Sequence, residues 1–134
     1  MQASMNFAES ITFEFTRRRT ANARYSWRAF ARALGISHST AVRLARQSQR
    51  ASDATIMSAG RRLGWTEPRI TGLIREERLR RLQDAASSPE FVADARWVAS
   101  RVNLTLDDVQ LALHEGLRTR RLEMTSAAVW KVTR

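Results

Sequence analysis

The sequence predicts a mainly α-helical protein: a bundle built on a helix-turn-helix, followed by a small winged helix with a two-stranded wing. Three observations predict it. Ser26 to Arg50 (SWRAFARALGISHSTAVRLARQSQR) reads as two short helices joined at Gly35, with Ala31, Gly35, Ile36, Ser37 and Leu44 at helix-turn-helix spacing. Trp97 to Leu117 (WVASRVNLTLDDVQLALHEGL) repeats that design. Leu122–Met124 and Val129–Val132 then alternate as two short strands around TSAA. With 134 residues, 43% of them hydrophobic, the chain has enough apolar side chains for a packed core and room for one domain or two small ones. The expected division is a helix-turn-helix domain at 1–83, a linker at 84–89 (DAASSP) and a winged-helix-like domain at 90–134.

The first helix is expected over residues 6–19. Phe7, Ile11 and Phe15 recur on one face, and Asn6 with Glu9 three residues on is a capping pair. Arg17, Arg18 and Arg19 end it, either as cations matching the helix dipole or as phosphate contacts. Phe13 lies off the Phe7 face and either widens the buried stripe or meets a partner.

Ser26 caps a second helix to about Leu34. Trp27, Phe30, Ala31 and Leu34 share one face, and Arg28 and Arg32 lie together on another. Ala31 is small because the next helix crosses close by. Gly35 ends the helix in a left-handed conformation, Ile36 plugs the turn into the core, and Ser37 caps the helix His38–Gln47. That helix buries Ala41 and Leu44 and turns His38, Ser39, Val42, Arg43 and Arg46 outward. Each outward residue is small, polar or basic, the pattern a helix needs to enter the major groove. Ser52 opens a further helix that ends at Gly64, with Ile56 and Leu63 inward. Thr66 opens another, with Pro68 in its first turn, an apolar stripe at Ile70, Leu73, Ile74 and Leu82, and a solvated basic end, RLRRLQ.

In the second unit Asn103 takes the glycine position, since Asn also tolerates left-handed geometry. Thr105 caps the following helix, whose expected buried face is Leu106, Val109, Leu113 and Leu117. Asp107 and Asp108 occupy its first turn, where they suit the dipole but repel phosphate. A protein contact or dimerisation is the expected role of this unit, with DNA contact through Arg118, Arg120, Arg121 and Lys131 as the alternative. Trp130 fits either the core or an interface.

Charge separates the two units. Of the net +10, residues 1–52 carry +7, residues 53–89 carry +2 and residues 90–134 carry +1. Thr16 to Ser52 holds nine arginines and no acid, which favours a polyanionic partner. There is no cysteine, and only His38 and His114 could supply imidazole, so no metal site or cofactor is expected. Asp107 and Asp108 diverge by about 100° on a helix and make a poor catalytic pair. An enzyme is not expected. No apolar run reaches the roughly 18–20 residues of a membrane span, and the N-terminus lacks a signal-peptide pattern, so a cytoplasmic, nucleoid-associated location is expected.

The order of features resembles a bacterial regulator-like family whose members place a lambda-repressor-like (Xre-type) helix-turn-helix ahead of a winged-helix segment. The residues that carry the resemblance are FEFTRRRTANARYSWRAFAR at Phe13–Arg32, LGIS at Leu34–Ser37, RRLGW at Arg61–Trp65 and the block Trp97–Met124. The resemblance implies an all-α DNA-binding core followed by a winged helix, without a cofactor. Longer members carry further chain between and after these units, and nothing of that part's function is carried over.

Together these features predict a sequence-specific transcriptional regulator that acts on double-stranded DNA as a homodimer. Base contacts are expected from His38, Ser39, Arg43 and Arg46, and phosphate contacts from Ser26, Arg28, Ser37 and Arg50. The alternatives are a sequence-tolerant architectural DNA-binding protein, or an antitoxin-like interaction module whose second unit holds a protein partner.

Overall fold

The computed structural model describes residues 5–126 and 129–132, with side chains through Met124. Its first helix, α1 (Phe7–Ala21), opens on a reciprocal cap. Asn6 Oδ1 accepts from the Glu9 amide at 2.8 Å, and Glu9 Oε1 accepts from the Asn6 amide at 3.0 Å. Three later helices, α2 (Trp27–Leu34), α4 (Asp53–Leu63) and α6 (Ala95–Val102), share one design. Each starts at a side-chain cap, Ser26, Ser52 or Asp94, and stops at a left-handed residue, Gly35, Gly64 or Asn103. The next amide folds back on the last turn: Ile36 donates to the Ala31 carbonyl at 3.1 Å, Trp65 to Gly60 at 2.9 Å and Leu104 to Ala99 at 3.0 Å. Between them lie α3 (His38–Ala45), α5 (Glu67–Ala86) and α7 (Leu106–Arg118), followed by strands β1 (Leu122–Ser126) and β2 (Val129–Val132). The strands pair antiparallel, Leu122 opposite Val132 and Met124 opposite Trp130, with an irregularity between Met124 and Ser126. The chain is therefore mainly helical.

It forms two compact units, Met1–Glu77 and Arg78–Arg134. The first is built on the apolar stripe of α1, since Phe7, Ile11 and Phe15 are all buried against Phe30, Leu34, Leu44, Ile56 and Ile70. Its aromatic side is closely packed: Phe15 stacks on Trp27 with centroids 4.0 Å apart, and Phe30 meets Trp27 edge-on at 5.6 Å. Gly60 lets α4 and α5 approach, because a Cβ there would fall 2.6 Å from Ile70 Cγ1. The second unit buries Leu79, Leu82, Val98, Val109, Ala112 and Leu122.

Several expectations are corrected. Residues 84–89 are not a linker throughout: α5 runs to Ala86, Ala85 is buried, and the compact units divide at Glu77/Arg78. Small Asp, Ala and Ser side chains suggest a break, but Ala is a good helix former and fits under a neighbouring element. The helix from His38 ends at Ala45 rather than Gln47, because Gln47 turns left-handed at φ 59°. On α7 the fully buried positions are Val109, Ala112 and Gly116, whereas Leu106 is exposed and Leu113 and Leu117 are half-buried. Phe13 is 56% exposed and does not widen the buried stripe. The basic end of α5 is not an open face either, since Arg78, Arg80 and Arg81 are half-buried. The expectations for Trp130 and Lys131 lie outside the described side chains, and part of the TSAA turn lies outside the described residues.

At the end of α1, Arg17 and Arg18 are tied to Glu14 rather than presented as free cations. The Arg17 hydrogen bond holds the Glu14 carboxyl below its ordinary value of 4.5, with Arg18 adding to the effect and burial opposing it. A depressed folded-state pKa gives stability that is complete above the unfolded value and is lost as pH falls through the folded one. Glu14→Gln is therefore expected to lower the urea midpoint at neutral pH and to leave it unchanged at a pH well below 4.5. An equal deficit at both pH values would assign the effect to packing instead.

Candidate nucleic-acid interface

The segment from Ser26 to Arg46 is assembled by local chemistry. Ser26 Oγ accepts from the Ala29 amide at 3.1 Å and starts α2. Gly35, at φ 75° and ψ 28°, reverses the chain, and Ile36 packs half-buried against the core. Ala31 and Ala41 are both buried, and α2 packs on α3. Ser37 then accepts from the Thr40 amide at 3.2 Å, donates to Thr40 Oγ1 at 2.8 Å and starts α3. Ala41 and Leu44 point inward, while His38, Ser39 and Arg43 are exposed on the opposite face. Arg46 is exposed as well, but as the residue capping the C-terminus of α3.

Seven of the eight expected contact residues therefore lie on the surface: Ser26, Arg28, Ser37, His38, Ser39, Arg43 and Arg46. Ser37 sits beneath the start of α3, and Ser26 and Arg28 lie at the far end of α2. Both serine hydroxyls serve as helix caps. The Arg43 guanidinium leans on neutral partners, with Nε donating to Gln49 Oε1 at 2.9 Å.

Arg50 is the exception. Its guanidinium is only 27% exposed and lies 3.8 Å from the Glu77 carboxylate, on a residue that is 5% exposed. A buried carboxylate needs a compensating cation, and Arg50 supplies one to Glu77 within the first unit. Arg50→Ala is expected to lower stability by about 1–2 kcal/mol, less than a fully buried pair because the cation is partly solvated. Thermal melting checks this. Loss of DNA affinity with unchanged melting would place Arg50 on the contact surface.

The arginines of the first unit thus fall into two groups. Arg17 and Arg18 pair with Glu14, Arg50 with Glu77 and Arg61 with Glu67. Arg19, Arg24, Arg28, Arg32, Arg43, Arg46, Arg62, Arg69 and Arg75 have no ion pair among the described residues. One of these was not foreseeable from spacing. Arg62, in the last turn of α4, lies over the α2–α3 turn, so that a Cβ on Gly35 would come 2.7 Å from its Nε. No local sequence signal links these two positions.

The second unit reproduces the backbone with other chemistry. Asn103 is left-handed at φ 56°, and Thr105 accepts from the Asp108 amide at 3.1 Å. Counted from the cap, Asp107 stands where the first unit has Ser39, Leu111 where it has Arg43 and His114 where it has Arg46. Leu111 is 66% exposed. Asp108 is paired with Arg78 at 3.2 Å, and Arg118 with Glu115.

Among the described residues, no three His, Asp or Glu side chains gather as a metal ion would require, and no helix is long and apolar enough to cross a membrane. Compared with protein-family models, curated proteins and solved structures, the chain finds no match.

Proposed function

We propose that the protein is a sequence-specific DNA-binding regulator whose first unit is a lambda-repressor-like helix-turn-helix and reads the major groove with α3. The observation that carries this reading is the placement of unpaired arginines. Arg28 and Arg32 on α2, Arg43 on α3, Arg46 at its end and Arg62 over the turn between them are exposed and have no ion pair among the described residues, which leaves them for a partner. A row of uncompensated guanidinium groups beside a slim polar helix suits a phosphate backbone flanking base edges. His38, Ser39, Arg43 and Arg46 are the proposed base contacts; Ser26, Arg28 and Ser37 are the proposed phosphate contacts. On this reading the protein is not an enzyme and requires no cofactor. It acts as a homodimer on half-sites about 34 Å apart or at multiples of that.

We assign the second unit, read as a winged helix with β1 and β2 as its wing, to protein contact. An exposed leucine and an aspartate replace the arginine and serine of the reading face, a chemistry that suits an apolar partner surface better than phosphate. The two readings make different predictions. Selection from a random duplex pool is expected to enrich one motif, with twofold symmetry if the protein pairs. Binding without enrichment would make the protein a sequence-tolerant architectural factor. Absence of binding at low salt would leave only the interaction module.

A further inference from the structure

Arg28, Arg32 and Gly35 fall within about 60° of one another around α2, because successive residues advance by about 100°. The Arg62 guanidinium occupies the space above Gly35. The two exposed arginines of α2 are thus continued, one turn further on, by a cation delivered from α4, which packs on α2. None of the three has an ion pair among the described residues, whereas the adjacent Arg61 is paired with Glu67 at 3.5 Å.

We propose that Arg28, Arg32 and Arg62 form a single cationic track that grips consecutive phosphates of one DNA strand, with Arg62 as its end beside the start of α3. This rests on the DNA-binding reading above and adds Arg32 and Arg62 to the phosphate contacts that reading names. From Arg28 to Gly35 the helix rises about 10 Å, and one strand carries a phosphate every 3.4 Å or so of axis, so the track spans neighbouring phosphates of one backbone. The glycine of the turn has a second duty here. Besides permitting the left-handed bend, it leaves the room in which Arg62 lies.

The test measures affinity for a duplex across a salt series, using the full chain. Removing one phosphate contact reduces the slope of log K against log salt by about 0.9. Arg62→Ala is expected to do this and to weaken binding roughly tenfold, equally for selected and random duplexes. Arg61→Ala removes the same charge from the neighbouring residue and is expected to keep the wild-type slope. Gly35→Asn retains a residue that tolerates the left-handed bend, as Asn103 does in the second unit, but its Cβ displaces Arg62. It is expected to reproduce the Arg62→Ala slope with the cation still present. Thermal melting of each variant identifies any loss of fold. A wild-type slope in Arg62→Ala overturns the track while leaving DNA binding intact. Failure of the unmodified protein to bind any duplex overturns both.

Discussion

Phe30→Ala is expected to lower the stability of the first unit by about 3–5 kcal/mol, the usual loss for a fully buried phenylalanine. Phe30 has no exposed surface. Phe15, Tyr25 and Trp27 surround its ring at centroid distances of 5.7, 6.3 and 5.6 Å, and the Arg18 guanidinium lies 5.7 Å above it. Truncation removes the transfer free energy of the ring and leaves a cavity whose walls belong to two helices and a connector, so collapse is restricted. Since a domain holds only about 5–15 kcal/mol in total, this one change takes a large share. Urea unfolding of the two proteins measures it. A loss under about 1 kcal/mol would mean that the aromatic cluster repacks freely, contrary to the dense interiors of folded domains. Phe30→Leu, which refills part of the space, is expected to recover much of the difference.

Arg43→Ala is expected to abolish discrimination at one base pair of the selected site, worth about 1–3 kcal/mol. Arg43 sits on the exposed face of α3, with its Nε on Gln49 at 2.9 Å and Nη2 3.5 Å from Thr40 Oγ1. Both partners are neutral, so exchanging them for the paired acceptors of a guanine gives up no ion pair. Competition binding against single-base variants of the site resolves the effect. The unmodified protein is expected to prefer the correct pair by roughly 5- to 150-fold at that position. Arg43→Ala should lose that preference there and keep it elsewhere. Unchanged preference would remove α3 as the reading helix. The contrast with Arg62→Ala, which is expected to weaken every sequence alike, separates a base contact from a phosphate contact.

What the sequence revealed about the fold follows from the range of the interactions. Caps are written within four residues, so the starts of α1, α2, α3, α4 and α7 are legible in Asn6 with Glu9 and in Ser26, Ser37, Ser52 and Thr105. The stripe Phe7, Ile11 and Phe15 is legible for the same reason, since helical periodicity is local. The end of α3 was not, because glutamine has no strong preference for the left-handed region that Gln47 adopts. The inward face of α7 was legible in part: Val109 is buried and Leu113 and Leu117 pack against the core, but Leu106 is exposed. Leu106, Val109, Leu113 and Leu117 suggest one stripe, and packing against Leu79 and Leu122 adds the small residues Ala112 and Gly116, which hydrophobic periodicity does not mark.

Within the candidate site, the outward pattern of α3 was legible because it depends on one short helix. The pairing of Arg50 was not legible, since its position among basic residues says nothing of Glu77, which reaches it only through the tertiary fold. Arg62 was missed for the converse reason: in sequence it is one of two arginines before Gly64, and only the packing of α4 on α2 brings it to Gly35.

The stacking of Trp27 on Phe15 also gives the first unit an optical signature. An indole held 4.0 Å from a phenyl ring at an interplanar angle of 14° sits in a fixed chiral environment, and near-ultraviolet circular dichroism reports such fixed packing and disappears when it loosens. Trp27 directly precedes Arg28, so the signal arises at the first residue of the helix that carries two of the proposed phosphate contacts. An arginine variant that loses DNA but keeps this band has lost charge and not architecture.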